Sequence, residues 1–134
     1  MVKIPRRVQE FLVRKNGWVA TATPFGTPTT ALKASIEVID DEHIIFADLF
    51  SRKKREDLRS YSKVVIAVAD TATGKGYEIK GSAEMRDSGP LFEQVSEKLK
   101  VALIVLPPLK YVVDIAVESV YDLSVGPEVG VQVA

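Results

Sequence analysis

Tyr77-Glu78-Ile79-Lys80-Gly81-Ser82-Ala83-Glu84-Met85-Arg86 alternates without a fault: Tyr77, Ile79, Gly81, Ala83 and Met85 fall on one face, and the polar residues on the other. A period of two is the side-chain geometry of an extended strand with one face on a core and the other in water. Upstream, Val64 to Ala69 is an unbroken apolar run between Lys63 and Asp70, the pattern of a strand buried on both faces, and residues 71–76 loop out of it. Downstream, Asp87-Ser88-Gly89-Pro90 is a turn that also starts a helix. Leu91, Phe92, Val95 and Leu99 then recur at helical spacing, which predicts a helix over about 90–105 that stops at Pro107-Pro108. A final strand places Val113, Ile115, Val117, Tyr121 and Leu123 against Asp114, Glu118, Asp122 and Ser124.

The first half reads the same way. Ile4, Val8, Phe11 and Leu12 follow one helical face behind Pro5, predicting a short helix over 4–15 that Asn16-Gly17 breaks. Trp18 to Thr23 is a strand, Pro24-Phe25-Gly26-Thr27-Pro28 a turn, and about Thr29 to Ile39 a second strand that makes a hairpin, through Asp40-Asp41-Glu42, with a third at Ile44 to Ala47. Residues from Ser51 to Arg59 are mostly helix formers and predict a short polar helix. The sum is six strands and about three short helices in a single domain, 1–134. So many strands joined mainly by turns favour an antiparallel barrel over a parallel α/β sheet.

Composition narrows the function. Over 134 residues, 18 Lys+Arg balance 18 Asp+Glu, so no overall field draws the chain to nucleic acid or to an anionic membrane. No cysteine is present, which removes disulfides and thiolate chemistry and fits a reducing, cytoplasmic setting. The N-terminal stretch lacks an apolar segment of signal-peptide length, and the longest apolar run, Val101 to Leu106, is far short of the about 20 residues a membrane helix needs. His43, the lone histidine, sits beside Asp40, Asp41 and Glu42 at a turn, where a metal would find no further nitrogen ligand. Gly74-Lys75-Gly76 lacks the flanking residues of a phosphate-binding P-loop. Trp18 and Tyr77 are read as core aromatics, the usual role of rings in strands.

One segment breaks a local rule. Ser51-Arg52-Lys53-Lys54-Arg55 puts four cations in the first turn of the expected helix, where the backbone N–H groups are already partly positive. A bound phosphate would reverse the sign of that interaction, because a hydroxyl, a forked guanidinium and an ammonium beside free N–H groups make an anion site. The plain alternative is a solvated basic face neutralised by Glu56 and Asp57.

Phe46-Ala47-Asp48-Leu49-Phe50-Ser51-Arg52-Lys53, followed by Leu58 and Val64-Val65-Ile66, resembles the FMN-phosphate segment of the pyridoxamine 5′-phosphate oxidase-like split barrels. Gly76 to Glu84 and Asp87 to Glu93 are similar to the fifth strand and following helix of the small FMN-binding proteins of that superfamily, and the likeness spans roughly residues 8–125. The resemblance implies a six-stranded antiparallel Greek-key split β-barrel that binds FMN. Arg52 and Lys53 would hold the phosphate with help from Ser51, Phe46 and Ala47 would line the ribityl and phosphate path, and Thr30, Ala31, Leu32 and Lys33 would offer backbone groups to the ring. It also implies a homodimer with two flavin sites across its interface, each completed by residues near Gly76 and Tyr77 of the other copy. Redox work with NAD(P)H or a partner protein is the implied activity. A split barrel binding haem or a deazaflavin, without flavin chemistry, is the alternative. The named oxidases carry an Arg-containing motif for the substrate phosphate near their C-terminus, whereas Gly126 to Ala134 holds no cation, which argues against pyridoxamine phosphate oxidation.

Overall fold

A computed structural model describes residues 1–23, 25–33, 36–49, 62–101 and 106–134. Within them the elements run α1 (Arg6–Leu12), β1 (Gly17–Ala22), β2 (Pro28–Lys33), β3 (Glu37–Val38), β4 (His43–Asp48), β5 (Lys63–Asp70), β6 (Lys75–Arg86), α2 (Pro90–Lys100) and β7 (Tyr111–Asp122). All pairings are antiparallel, and the strands form one sheet in the order β2-β1-β5-β6-β7-β4-β3. β5, β6 and β7 form a meander and β4 returns to lie beside β7, the strand order of a Greek key.

The sheet is a half-barrel curled around one core. Val19 of β1, Phe46 of β4, Ile66 of β5, Ile79 of β6 and Val113 of β7 all belong to a single buried cluster, and α1 adds Val8 and Leu12 to it. Each of these side chains, removed fully from water, contributes about 1.5–3 kcal/mol. The inner face therefore holds the fold together. α2 lies on the opposite face, where Val95 is its only fully buried residue, packed with Ile45, Ala47 and Val112. That docking is much the weaker of the two. Gly89 enters α2 with φ 96, a left-handed conformation that favours glycine, and Pro90 occupies the first turn.

The mainly β class stands, and the element list is corrected in three places. Seven strands replace six, because the expected strand from Thr29 to Ile39 is two: β2 pairs with β1, whereas β3 pairs with β4 at the far edge of the sheet. A chain passing from one edge to the other has to interrupt its ladder. Two helices are described instead of about three, since the polar helix expected from Ser51 lies outside the described residues, as do residues 102–105 of the longer helix expected after Pro90. α1 is shorter than expected; Arg14 takes φ 57 and the Lys15 N–H donates to the Leu12 carbonyl at 3.2 Å, which ends the helix.

Two surface patterns also differ. A β-bulge opposite Lys80 and Gly81 makes Glu118 an extra residue in β7, because Lys80 pairs with Ser119 and Gly81 with Val117. The parity of β7 reverses there. Val120 enters the core, and Tyr121 turns outward under the Lys80 ammonium, 4.7 Å from its ring centre. β5 is buried on one face only: Val64, Ile66 and Val68 point inward, while Val65 and Ala67 are half-buried on the outer face. Trp18, expected in the core, projects from that same outer face. Among the described residues, no helix is long and apolar enough to cross a membrane.

Candidate functional site

β4 sorts its residues between the two faces of the sheet. Ile44 and Phe46 belong to the inner core, whereas Ile45 and Ala47 face α2. Asp48 shares the parity of Phe46 and ends the strand, with its side chain wholly buried. β2 sorts its residues likewise, with Thr30 and Leu32 exposed on the outer face, and Ala31 and Lys33 half-buried on the inner one.

β2 and β4 share no ladder: β2 is one edge of the sheet, and β4 lies next to the other. Side chains meet across this seam where the backbone does not. Lys33 Nζ stands 3.9 Å from Asp48 Oδ2, with the Lys33 side chain 12% exposed and that of Asp48 0% exposed. The same ammonium lies 5.4 Å from the centre of the Phe46 ring, within the range of cation–π attraction. Lys33 thus lays its stem along the core with its head at the seam.

The expected site residues divide accordingly. Lys33 and Phe46 are brought together by side chain, and Asp48, within the quoted resemblance but given no role by it, joins them. Its signal was a lone carboxylate closing an apolar strand. Ala47 lies on the other face of β4 from Phe46 and borders a cavity of about 480 Å³ between α1, β3, β4 and α2, with Leu12, Val38, Val95 and Leu99 also in its walls. The two side chains therefore line no common path. Thr30 and Leu32 look outward, away from Lys33. Gly76 and Tyr77 start β6, and Tyr77 is core, its ring edge-on to Phe11 with centroids 5.3 Å apart. Lys33, Gly17, Val68 and Tyr77 are successive partners across the sheet, so Tyr77 stands three strand spacings, roughly 14 Å, from Lys33 within one chain. Ser51, Arg52 and Lys53 lie outside the described residues; they follow Asp48 after two intervening positions.

The outer face carries a second polar group. Lys63 Nζ donates to Ser82 Oγ at 2.9 Å and to both Glu118 oxygens at 2.8 and 2.7 Å. The hydrogen bond from Lys63 is the main cause that holds the Glu118 carboxyl below its ordinary value, against a smaller opposing effect of desolvation. Ser82 Oγ in turn donates to Glu118 Oε1 at 3.1 Å, so the three polar groups close on one another.

The family model described as pyridoxamine 5′-phosphate oxidase matches residues 4–124. An uncharacterised protein of Methanocaldococcus jannaschii is 29% identical over 136 residues, covering 100% of this chain and 90% of its own length. Among solved structures, HupZ of Group A Streptococcus superposes with a TM-score of 0.82 at 25% identity, covering 95% of this chain and 99% of that one. An FMN-binding protein of Syntrophomonas wolfei superposes with a TM-score of 0.75 at 18% identity, covering 90% and 84% of the two chains.

Proposed function

The chain belongs to the pyridoxamine 5′-phosphate oxidase family, and from that premise we propose that it is an FMN-binding flavoprotein, a homodimer that works in oxidoreduction or electron transfer. The observation that carries this reading is the course of β4. The strand ends at Asp48 beside the seam between β2 and β4, and Ser51-Arg52-Lys53 follow it in the sequence after two intervening positions. A forked guanidinium, an ammonium and a hydroxyl in sequence suit a phosphate monoester. The Syntrophomonas wolfei protein, of the same fold, is named for binding FMN, which supports the choice of ligand.

Bound FMN would supply the electron chemistry, and the protein's part is to hold, orient and tune it. NAD(P)H or a redox protein is the proposed electron source. The absence of cysteine suits a reducing cytoplasm.

Support for the homodimer comes from the outer face. Trp18 and Leu32 are direct cross-strand partners and are 55% and 54% exposed, with the half-buried Ala20, Val65 and Ala67 around them. A tryptophan and a leucine side by side on the outer face of the sheet form the kind of apolar patch that a second protein surface covers.

The test is the chromophore. Protein purified with added FMN should show flavin absorbance at one FMN per protomer, and Lys53→Glu should lower retention at least tenfold. Colourless wild-type protein overturns the reading, and mass spectrometry of the extracted ligand separates FMN from a deazaflavin or haem. Oxidation of NADH and NADPH by the FMN-loaded protein then identifies the electron source.

A further inference from the structure

We infer that the cavity between α1, β3, β4 and α2 is a binding site for an apolar monocarboxylate, its body enclosed by the cavity walls and its carboxylate held by Arg14. The site goes beyond the FMN reading and does not depend on it. The cavity measures about 480 Å³, inside the range of about 300–1,000 Å³ usual for small-molecule sites. Its β4 wall is formed by Ile45 and Ala47, on the face of the strand opposite Phe46.

The space follows from the sheet. β3 meets β4 only where Glu37 pairs with Ile45 and Val38 with Ile44, so Ala47 lies beyond the end of that ladder. Its side chain is a single methyl group, and in α2, which faces it, Val95 alone is fully buried. A large side chain at Ala47 would close the gap. Leu12, Ile36, Val38, Ile45, Val95 and Leu99 wall what remains, an apolar lining that favours a ligand with an apolar body.

The charge around the cavity sets the sign of that ligand. Among the described residues, Arg14, Glu37 and Lys98 are the charged ones that border it. Lys98 Nζ donates to Glu37 Oε1 at 2.8 Å, so these two cancel. Arg14 has no hydrogen-bond or ion-pair partner for its side chain among the described residues, which leaves one uncompensated positive charge. Its backbone is a second, independent sign. With φ 57, Arg14 is the one non-glycine residue of positive φ among the described residues. Just past a helix that conformation usually falls to glycine or asparagine, and a side chain kept there against its preference is a mark of functional sites. A guanidinium grips a carboxylate through two parallel hydrogen bonds. A second negative charge would find no cation, because Lys98 is already taken.

The experiment is isothermal titration calorimetry with octanoate and octylamine, which share an apolar chain and differ in charge, each with and without saturating FMN. Octanoate should bind at one per protomer, at least tenfold more tightly than octylamine, and equally well with and without FMN. Arg14→Asn, whose side chain suits the left-handed backbone, should weaken octanoate at least fivefold and leave octylamine unchanged. Leu99→Trp, which fills the cavity from α2, should abolish octanoate binding while keeping the circular dichroism of the wild type. The inference is overturned by any of three results: no saturable binding of octanoate, equal affinity for the two chains, or an Arg14→Asn variant that binds like the wild type. Displacement of octanoate by FMN also overturns it, since the cavity would then be part of the flavin site. Should Leu99→Trp not fold, Val38→Phe makes the same test from β3. If the protein takes up no flavin, the FMN reading fails, and the titrations without FMN decide this site by themselves.

Discussion

Lys33 and Asp48 meet across two strands that share no backbone ladder, one on the first edge of the sheet and one beside the last, with the carboxylate wholly buried and the ammonium nearly so. This contact, with the Phe46 ring beneath it, links the two sides of the half-barrel where hydrogen-bonded pairing does not. Removing one member of a buried pair strands the other charge. Asp48→Ala should therefore cost about 3 kcal/mol in urea unfolding, and the double change Lys33→Met with Asp48→Leu should restore most of it. A loss below about 1 kcal/mol for Asp48→Ala would mean that Lys33 swings freely into water.

Gly81 sits at the β-bulge, where an added Cβ would run into the Ala116 carbonyl and come within 2.7 Å of Ile115 Cγ2. A backbone carbonyl inside a ladder cannot step aside as a flexible side chain would. Gly81→Ala should destabilise by about 1–3 kcal/mol, the usual range for overpacking. Gly26→Ala makes a useful control, since among the described residues nothing but its chain neighbours lies within 4 Å of its would-be Cβ and its cost should come from the left-handed φ of 82. Equal effects at the two positions would refute the steric account.

The homodimer is open to a surface test. Trp18→Lys and Leu32→Lys place charges on an exposed apolar face without touching the core. Each should move the protein from dimer to monomer in sedimentation equilibrium while leaving the far-ultraviolet circular dichroism unchanged. A dimer of unaltered strength in both variants would exclude this face as the contact.

Asp40 gives a pH-dependent prediction. Burial pushes its carboxyl upward, yet the hydrogen bonds from the Glu42 N–H at 2.7 Å and from the His43 ring outweigh that and hold it below its ordinary value of 3.8. A depressed carboxylate stabilises the fold above its unfolded pKa and loses that contribution as the pH falls through the lower, folded value. The side chain is more than half exposed, so the effect is small, roughly 0.2–1 kcal/mol. Asp40→Asn should be less stable than the wild type at pH 6, and the two melting temperatures should converge below pH 3.8. A constant gap at every pH would assign the difference to the turn geometry instead.

The alternation of Tyr77 to Arg86, the helical spacing of Leu91 to Leu99 and the apolar run of Val64 to Ala69 were enough to read β6, α2 and β5, and with them an antiparallel, mainly β fold. These patterns are local, set by the pitch of a strand or helix relative to one core. The resemblance of the segment from Phe46 to Lys53 likewise pointed to the family from residues contiguous in the chain. Three features escaped. The bulge at Glu118 left no mark in the pattern of β7, so Tyr121 was assigned to the core and Val120 was not. Trp18 was counted as core because ring-rich strands usually bury their rings, and its exposure depends on which face of β1 the sheet turns outward.

The third is the site itself. Lys33 was read only for its backbone and Asp48 was given no part, although the two form the most buried ion pair among the described residues. By itself the sequence determined most of the strands, the class and the family, since periodicity and contiguous motifs survive in one dimension. Only the tertiary structure decided that β2 and β4 face each other across an unladdered seam. Which inward side chains meet there depends on how far the sheet curls, and curl is the sum of twist, bulge and core packing over every strand between them.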